Sequence, residues 1–278
     1  MARKDHRQGR RDGGNRGPAA ERPEGREQPR VNRRGARREE RGDPDLVRLW
    51  GFHPVREALR SKHREVVRLW ATPEAASRLT AEIEARGIEI RPTTPEELAQ
   101  RLPQDAVHQG LLLEARPLAA MDVADLPASG LVLVLDQVTD PHNVGAIVRT
   151  AAAFAVDAIV TTERHSPALT GVLAKSASGG LEHVPICVVV NLARALETLG
   201  DMGYLRVGLD SEGPAALEDT VLSKPLALVL GAEGKGLRRL SRENCDVLAR
   251  LDMPGAIRSL NVSNACAVAL TIARIKLS

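Results

Sequence analysis

Aromatic side chains are nearly missing from this chain: two Trp, two Phe and one Tyr in 278 residues. RNA-binding folds of the RRM or OB kind stack bases on exposed rings, and Trp50, Phe52, Trp70, Phe154 and Tyr204 are too few for such a platform. Cysteine is equally scarce. Cys187, Cys245 and Cys266 are odd in number and far apart, with no CxxC pair and no histidine at zinc-ligand spacing, which argues against a disulfide framework and a metal site. They read as small core residues in a reducing compartment. No run of 18 apolar residues exists, and the basic start is not followed by an apolar segment, so the expectation is a cytoplasmic protein with no membrane partner. Neither the dinucleotide fingerprint GxGxxG after a predicted strand nor the phosphate loop GxxxxGK[ST] is present.

What is present is enough apolar residue, 43%, to bury a core in one large domain or two modest ones. The net charge of +3 conceals an asymmetry. Residues 1–43 hold 14 of the 39 Lys+Arg and 8 of the 36 Asp+Glu, a net of +6, which leaves residues 44–278 with 25 against 28, a net of −3. This Arg-, Gly-, Pro- and Glu-rich tail has almost no aliphatic residue beyond alanine, so it is expected to be disordered. An arm of that charge suits non-specific contact with nucleic-acid phosphates, or simply solvates the chain.

From residue 44 the pattern becomes globular. Leu46–Gly51 is a short apolar entry, Pro54–Ser61 has helical spacing, Val66–Ala71 and Ile88–Arg91 read as strands, and Pro73–Arg86 reads as a helix closed by Gly87. Thr94-Pro-Glu-Glu combines an N-cap, a first-turn proline and a reciprocal glutamate, a capping box that opens a helix through Leu102. Gly110–Glu114 completes a small α/β module over residues 44–115, in which His53, Arg56 and His108 are the polar residues of interest. Residues 116–130, with Pro117 and Pro127, form the expected linker.

Residues 131–278 alternate strands and helices, which predicts an α/β fold with a mostly parallel, covered sheet. Leu131–Leu135 is the central strand and Val144–Phe154 the helix after it. Ala158–Thr161, Val184–Val190, Leu205–Leu209, Leu226–Leu230 and Val247–Leu251 are further strands, Ala168–Ser178 and Leu192–Leu199 are helices, and a last helix runs from about Asn261 to Lys276. Two strands end in turn-rich segments, Gly-Ala-Glu-Gly-Lys-Gly from Gly231 and Met-Pro-Gly-Ala-Ile-Arg-Ser from Met253. Three glycines in six residues bring a backbone close to a ligand. In open α/β sheets ligands bind at this strand edge.

Three segments carry a resemblance. LDQVTDPHNVGAIVRTAAAF from Leu135, LVLGAEGKGL from Leu228 and LDMPGAIRSLNVSNACAVAL from Leu251 resemble, in order and in chemistry, the three motifs of the SpoU/TrmH family of RNA 2′-O-ribose methyltransferases. LWGFHPVREAL from Leu49 and HQGLLLEA from His108 resemble the L30e-like RNA-binding domain that precedes the catalytic domain in the branch methylating a guanosine ribose of 23S rRNA. The resemblance implies S-adenosylmethionine as cofactor, rRNA as partner, a homodimer, and a C-terminal segment threaded into a trefoil knot. It places the family's catalytic residues on Asn143, Arg149, Glu233 and Asn261. Its cofactor-binding residues fall on Gly231, Leu251, Met253, Ser259 and Leu260, with no metal.

The reaction so implied needs in-line placement of a ribose hydroxyl and management of its proton. A guanidinium is a poor base, so Arg149 is expected to stabilise developing alkoxide charge and position a phosphate, with Glu233 orienting Arg149 or complementing the cationic cofactor. Each residue also has an ordinary reading: Asn143 as a helix-start cap, Glu233 as a turn residue, Ser259 and Asn261 as caps of the last helix. A tRNA-modifying enzyme, a non-catalytic RNA-binding or ribosome-assembly protein of this fold, and a Rossmann-type enzyme remain the alternatives.

Overall fold

The structure is a computed structural model describing residues 46–164, 166–167 and 171–278. The basic tail of residues 1–43 and the predicted helix start at residues 168–170 lie outside the described residues. The described residues form one compact unit built on two sheets.

The first sheet has the order β1-β4-β2-β3, from β1 (Val47–Trp50), β2 (Val66–Ala71), β3 (Ile90–Pro92) and β4 (Leu111–Ala115). Strand β4 is antiparallel to both neighbours, and β2 is parallel to β3. Gly51, at φ 89°, turns the chain from β1 into helix α1 (Phe52–Arg60), which buries Val55, Ala58 and Leu59. The helix expected over 73–86 is two pieces, α2 (Pro73–Ser77) and α3 (Thr80–Arg86), because the chain bends at Arg78–Leu79 to bury Leu79 beside Ile83. Gly87 closes α3 at φ 64°. The Thr94–Glu97 capping box forms and starts α4 (Pro95–Arg101).

The second sheet has the order β7-β6-β5-β10-β8-β11-β9, and every adjacent pair is parallel. Its strands are β5 (Leu131–Asp136), β6 (Ala158–Thr162), β7 (Ile186–Val189), β8 (Leu205–Leu209), β9 (Ala215–Ala216), β10 (Leu226–Gly231) and β11 (Val247–Arg250). Every residue of β5 is buried because both faces are covered. Leu131, Leu133 and Leu135 pack beneath α5 (Pro141–Ala153) and α9 (Val262–Leu277), while Val132 and Val134 face α7 (Leu192–Asp201). Residues 116–130 contribute Val123 and Leu126 to the α7 face, and Tyr204 Oη donates to the Pro127 carbonyl at 2.6 Å. Helix α6 (Gly171–Ala177) lies against α5 and the first sheet. The short α8 (Arg239–Glu243), carrying an Arg239–Glu243 ion pair, and the two-residue β9 have too little apolar periodicity to be read from the sequence.

The two sheets share one apolar core and a buried ion pair. Arg64, next to β2, donates to Glu182 at 2.6 Å, both side chains 3% exposed, and its second guanidinium nitrogen donates to the Arg116 carbonyl at 2.9 Å. Trp50 lies over Gly171 so closely that a Cβ there would meet the indole at 1.7 Å.

Candidate functional site

Strand β10 ends at Gly231, beside Asp136 at the end of β5. The chain then folds back on itself: Ala232 bridges Gly236, and Gly236 N–H donates to the Ala232 carbonyl at 2.9 Å. Gly234 and Gly236 take the left-handed region at φ 76° and 64°. Gly231 is glycine for a different reason, since a Cβ would lie 2.2 Å from the Gly236 carbonyl carbon. The fully buried Asp136 pins the far side of the turn, accepting from Arg238 N–H at 2.9 Å and from its Nε at 2.5 Å. This carboxylate was not singled out from the sequence. Its position one residue past an apolar strand was the available signal.

Opposite the turn, the segment after β11 runs from Leu251 to the start of α9. The two enclose a cleft of about 450 Å³ whose lining includes all five residues expected to hold a cofactor, Gly231, Leu251, Met253, Ser259 and Leu260, together with Glu233. Asp210 and Asp252 add carboxylates. The two arginines of the lining are held locally: Arg250 by Asp252 at 2.7 Å and by the carbonyls of Gly213 and Pro214, Arg258 by the Met253 carbonyl at 2.9 Å. Asp252 is paired with Arg250 and Asp210 with Arg242 at 3.2 Å, so the walls combine aliphatic side chains and backbone with charges of both signs, which suits a ligand carrying both an apolar body and polar groups.

At the rim, one side chain joins all three sequence segments. Asn261 Nδ2 donates to Asn143 Oδ1 at 2.9 Å and to Glu233 Oε2 at 3.4 Å. Its Oδ1 accepts from Ser263 N–H at 2.9 Å and Ser263 Oγ at 2.6 Å, capping α9. Capping of α9 and the contact with Asn143 and Glu233 are compatible at Asn261, because each uses a different end of the amide. Asn143 is not the helix cap. Asp140 caps α5 by accepting from His142 N–H at 3.0 Å, with Pro141 at the first position, so the helix begins three residues earlier than expected. That places Asn143 in the first turn, facing Asn261.

Arg149 is not brought to this network within the chain. It lies six residues beyond Asn143 on α5, about 9 Å along the axis and roughly 240° around it. It lines a smaller cleft of about 220 Å³ with His53, Glu57, Ser178 and His183, between α1 and α6. Glu233, in the lining of the larger cleft, is bonded to Asn261 rather than to Arg149. Burial opposes ionisation of Glu57, but hydrogen bonds from Arg56 and His183 outweigh it and hold its carboxyl below the usual range. His53 thus lines the same cleft as Arg149, and Arg56 bonds Glu57 of that lining. His108 does not, its ring accepting from Gly110 N–H at 3.1 Å.

A parallel sheet whose strand tips carry a glycine turn, a cleft and an amide–carboxylate network, with neither a dinucleotide nor a phosphate-loop motif, is the ligand-binding edge of an α/β domain. The chain belongs to the SpoU rRNA methylase family, whose model matches residues 130–271, and a model for RNA 2′-O ribose methyltransferase substrate binding matches residues 48–121. It is 37% identical to the 23S rRNA (guanosine-2′-O-)-methyltransferase RlmB of Pseudomonas putida, over 81% of this chain and 94% of that one. It is equally 37% identical to an uncharacterised tRNA/rRNA methyltransferase of Mycolicibacterium smegmatis, covering 79% and 73%. Among solved structures, the SpoU methyltransferase AviRb of Streptomyces viridochromogenes, in complex with AdoMet, shares the fold with a TM-score of 0.72 at 20% identity, covering 90% of this chain and 100% of that one.

Proposed function

We propose that this chain methylates the ribose 2′-hydroxyl of a guanosine in 23S rRNA, with S-adenosylmethionine as donor. One observation carries the reading: Asn261 ties the three sequence segments together at the rim of a cleft that all five expected cofactor residues line. Relatives covering four fifths of the chain bear the name of that activity. When bound, S-adenosylmethionine supplies a methyl group already activated on a sulfonium. Leu251, Met253 and Leu260 would enclose its apolar parts, backbone groups at Gly231 and Ser259 its polar ones, and Glu233 would complement its positive charge. With Asn143 Oδ1 engaged by Asn261, its NH₂ is left to donate to a substrate oxygen and orient the ribose.

The remaining function is stabilising the alkoxide as the 2′-OH loses its proton, and the reading assigns it to Arg149. Because Arg149 stands apart from the cleft in its own chain, the site is proposed to be completed in a homodimer by Arg149 of a second copy. Exposed apolar residues on and beside α9, Leu260, Val268 and Ile275, support a partner surface there. Residues 44–115 would be an L30e-like substrate-binding domain and 116–130 a linker. Residues 131–278 would be the catalytic domain, and the basic arm of 1–43 would hold RNA phosphates. A trefoil knot is supported by the path after β11, where the chain passes back toward the β10 turn before α9 packs on α5. Among the described residues no helix is long and apolar enough to cross a membrane, and the proposed setting is the cytoplasm, where rRNA is processed.

The test is incubation with a radiolabelled methyl donor and undermodified 23S rRNA, followed by digestion to nucleosides. Label in 2′-O-methylguanosine is expected. Label only with tRNA, in a base, or nowhere overturns the proposal.

A further inference from the structure

A second pocket lies at the same sheet edge, on the other side of the Asn143–Asn261–Glu233 network. It encloses about 280 Å³ along the face of β6 and β7, from Ile159 and Ile186 up to Thr161 and Glu163 at the C-terminal end of β6, with Val144 and Pro167 also in its lining. It shares a sheet face with the cofactor cleft. Leu135, Val144 and Ile159, which line this pocket, and Leu230 and Val262, which line the cleft, belong to the same core layer beneath α5 and α9. Along the sheet edge the order is cofactor cleft at β8, β10 and β11, network at β10 and β5, and this pocket at β5, β6 and β7. From β10 to β6 is two strand spacings, about 10 Å. A nucleoside whose ribose lay at Asn143 would have its base within that span.

From these observations we infer that the pocket receives the base of the nucleotide being methylated and that Glu163 selects guanine. The inference rests on the proposed methyltransferase reading. Val144, the residue after Asn143, is a wall of the pocket, so the side chain proposed to orient the ribose and the one contacting the base are adjacent on α5. Aliphatic walls replace the stacking rings this chain lacks. A guanine offers N1–H and N2–H₂ as neighbouring donors, which one carboxylate accepts together, and O6 as an acceptor for a hydroxyl. The Thr161 and Ser166 hydroxyls, hydrogen-bonded to each other, supply a donor on the pocket's floor. An adenine would set its N1 lone pair against the Glu163 carboxylate. A base that merely fits is thereby rejected by an unpaired polar contact.

The experiment uses a synthetic RNA fragment spanning the nucleotide that the wild-type protein methylates, carrying guanosine, inosine or adenosine at that position. Inosine lacks only the 2-amino group. The wild type should prefer guanosine to both, and Glu163→Gln, at an exposed residue outside the cofactor cleft, should lower kcat/KM on guanosine by about tenfold or more. The same variant should methylate guanosine and inosine nearly equally, with S-adenosylmethionine affinity by calorimetry and the melting temperature unchanged. A Glu163→Gln protein with wild-type kcat/KM and wild-type base ranking overturns the pocket assignment alone. A wild-type protein that transfers no methyl to any RNA overturns the methyltransferase reading, and the pocket with it.

Discussion

Asn261 both caps α9 and bonds Asn143 and Glu233, and the two contributions are separable by substitution. Asn261→Asp keeps an oxygen to cap α9 but removes the Nδ2 donor that reaches Asn143 and Glu233, and it sets a second carboxylate beside Glu233. The expected outcome is a melting temperature close to wild type with turnover reduced on the order of a hundredfold, because the site loses its alignment. Equal losses of stability and activity would show that Asn261 only caps. The cysteines give a second residue-level prediction. Burial raises the Cys187 thiol to about 11 and is the largest cause raising Cys245 and Cys266 to about 12. A thiol raised on folding keeps its proton while the unfolded chain loses it, so its contribution to stability is complete below pH ~9 and is lost from there toward pH 11–12. Denaturant titrations should show stability falling above pH ~9, by at most about 1.4 kcal/mol per pH unit for each thiol. Cys266→Ala should make that slope shallower.

At the scale of elements, the glycine turn after β10 depends on the absence of a side chain at Gly231. Gly231→Ala would place a Cβ 2.2 Å from the Gly236 carbonyl carbon and 2.5 Å from Leu237 N, both backbone atoms, so the turn itself must shift. Overpacking of this kind costs about 1–3 kcal/mol, and expressed in the cleft it should weaken S-adenosylmethionine roughly tenfold to a hundredfold in calorimetry. Wild-type affinity would show that the turn does not shape the cofactor site. The junction of the two sheets rests on a different device. Arg64→Met leaves Glu182 buried without its partner and should lower unfolding free energy by about 3–5 kcal/mol in urea titration, while Arg64→Met with Glu182→Leu should recover most of it. A single variant as stable as wild type would mean that water reaches Glu182.

For the whole molecule the question is whether one chain contains a complete site. Arg149→Ala should lower turnover by about 10² to 10³ with cofactor affinity intact, the scale of losing one electrostatic stabiliser, and Arg149→Lys should restore little because lysine lacks the planar fork. Glu233→Ala should be inactive as well. If a second copy supplies Arg149, mixing the two inactive variants under subunit exchange creates dimers with one intact site, and activity should return to roughly a quarter of wild type. Mixtures as inactive as their components would place the whole site in one chain.

The sequence by itself determined what depends on neighbours along the chain. The Thr94–Glu97 capping box, the αL glycine at 87, the apolar run of β5 and the glycine-rich turn that begins at Gly231 are local statements, and each is found where composition and spacing put it. The five residues that the family resemblance proposes for the cofactor line one cleft because they cluster in two loops that end two strands. What the tertiary structure alone decided is distance between segments. Asn143 and Asn261 are 118 residues apart and share a hydrogen bond, whereas Arg149, six residues from Asn143, lines a separate cleft. The helical repeat separates the second pair, and the parallel sheet, by placing β5 beside β10, unites the first. Likewise the bend at Leu79, the burial of Asp136 and the Arg64–Glu182 pair follow from packing between elements that no local pattern encodes.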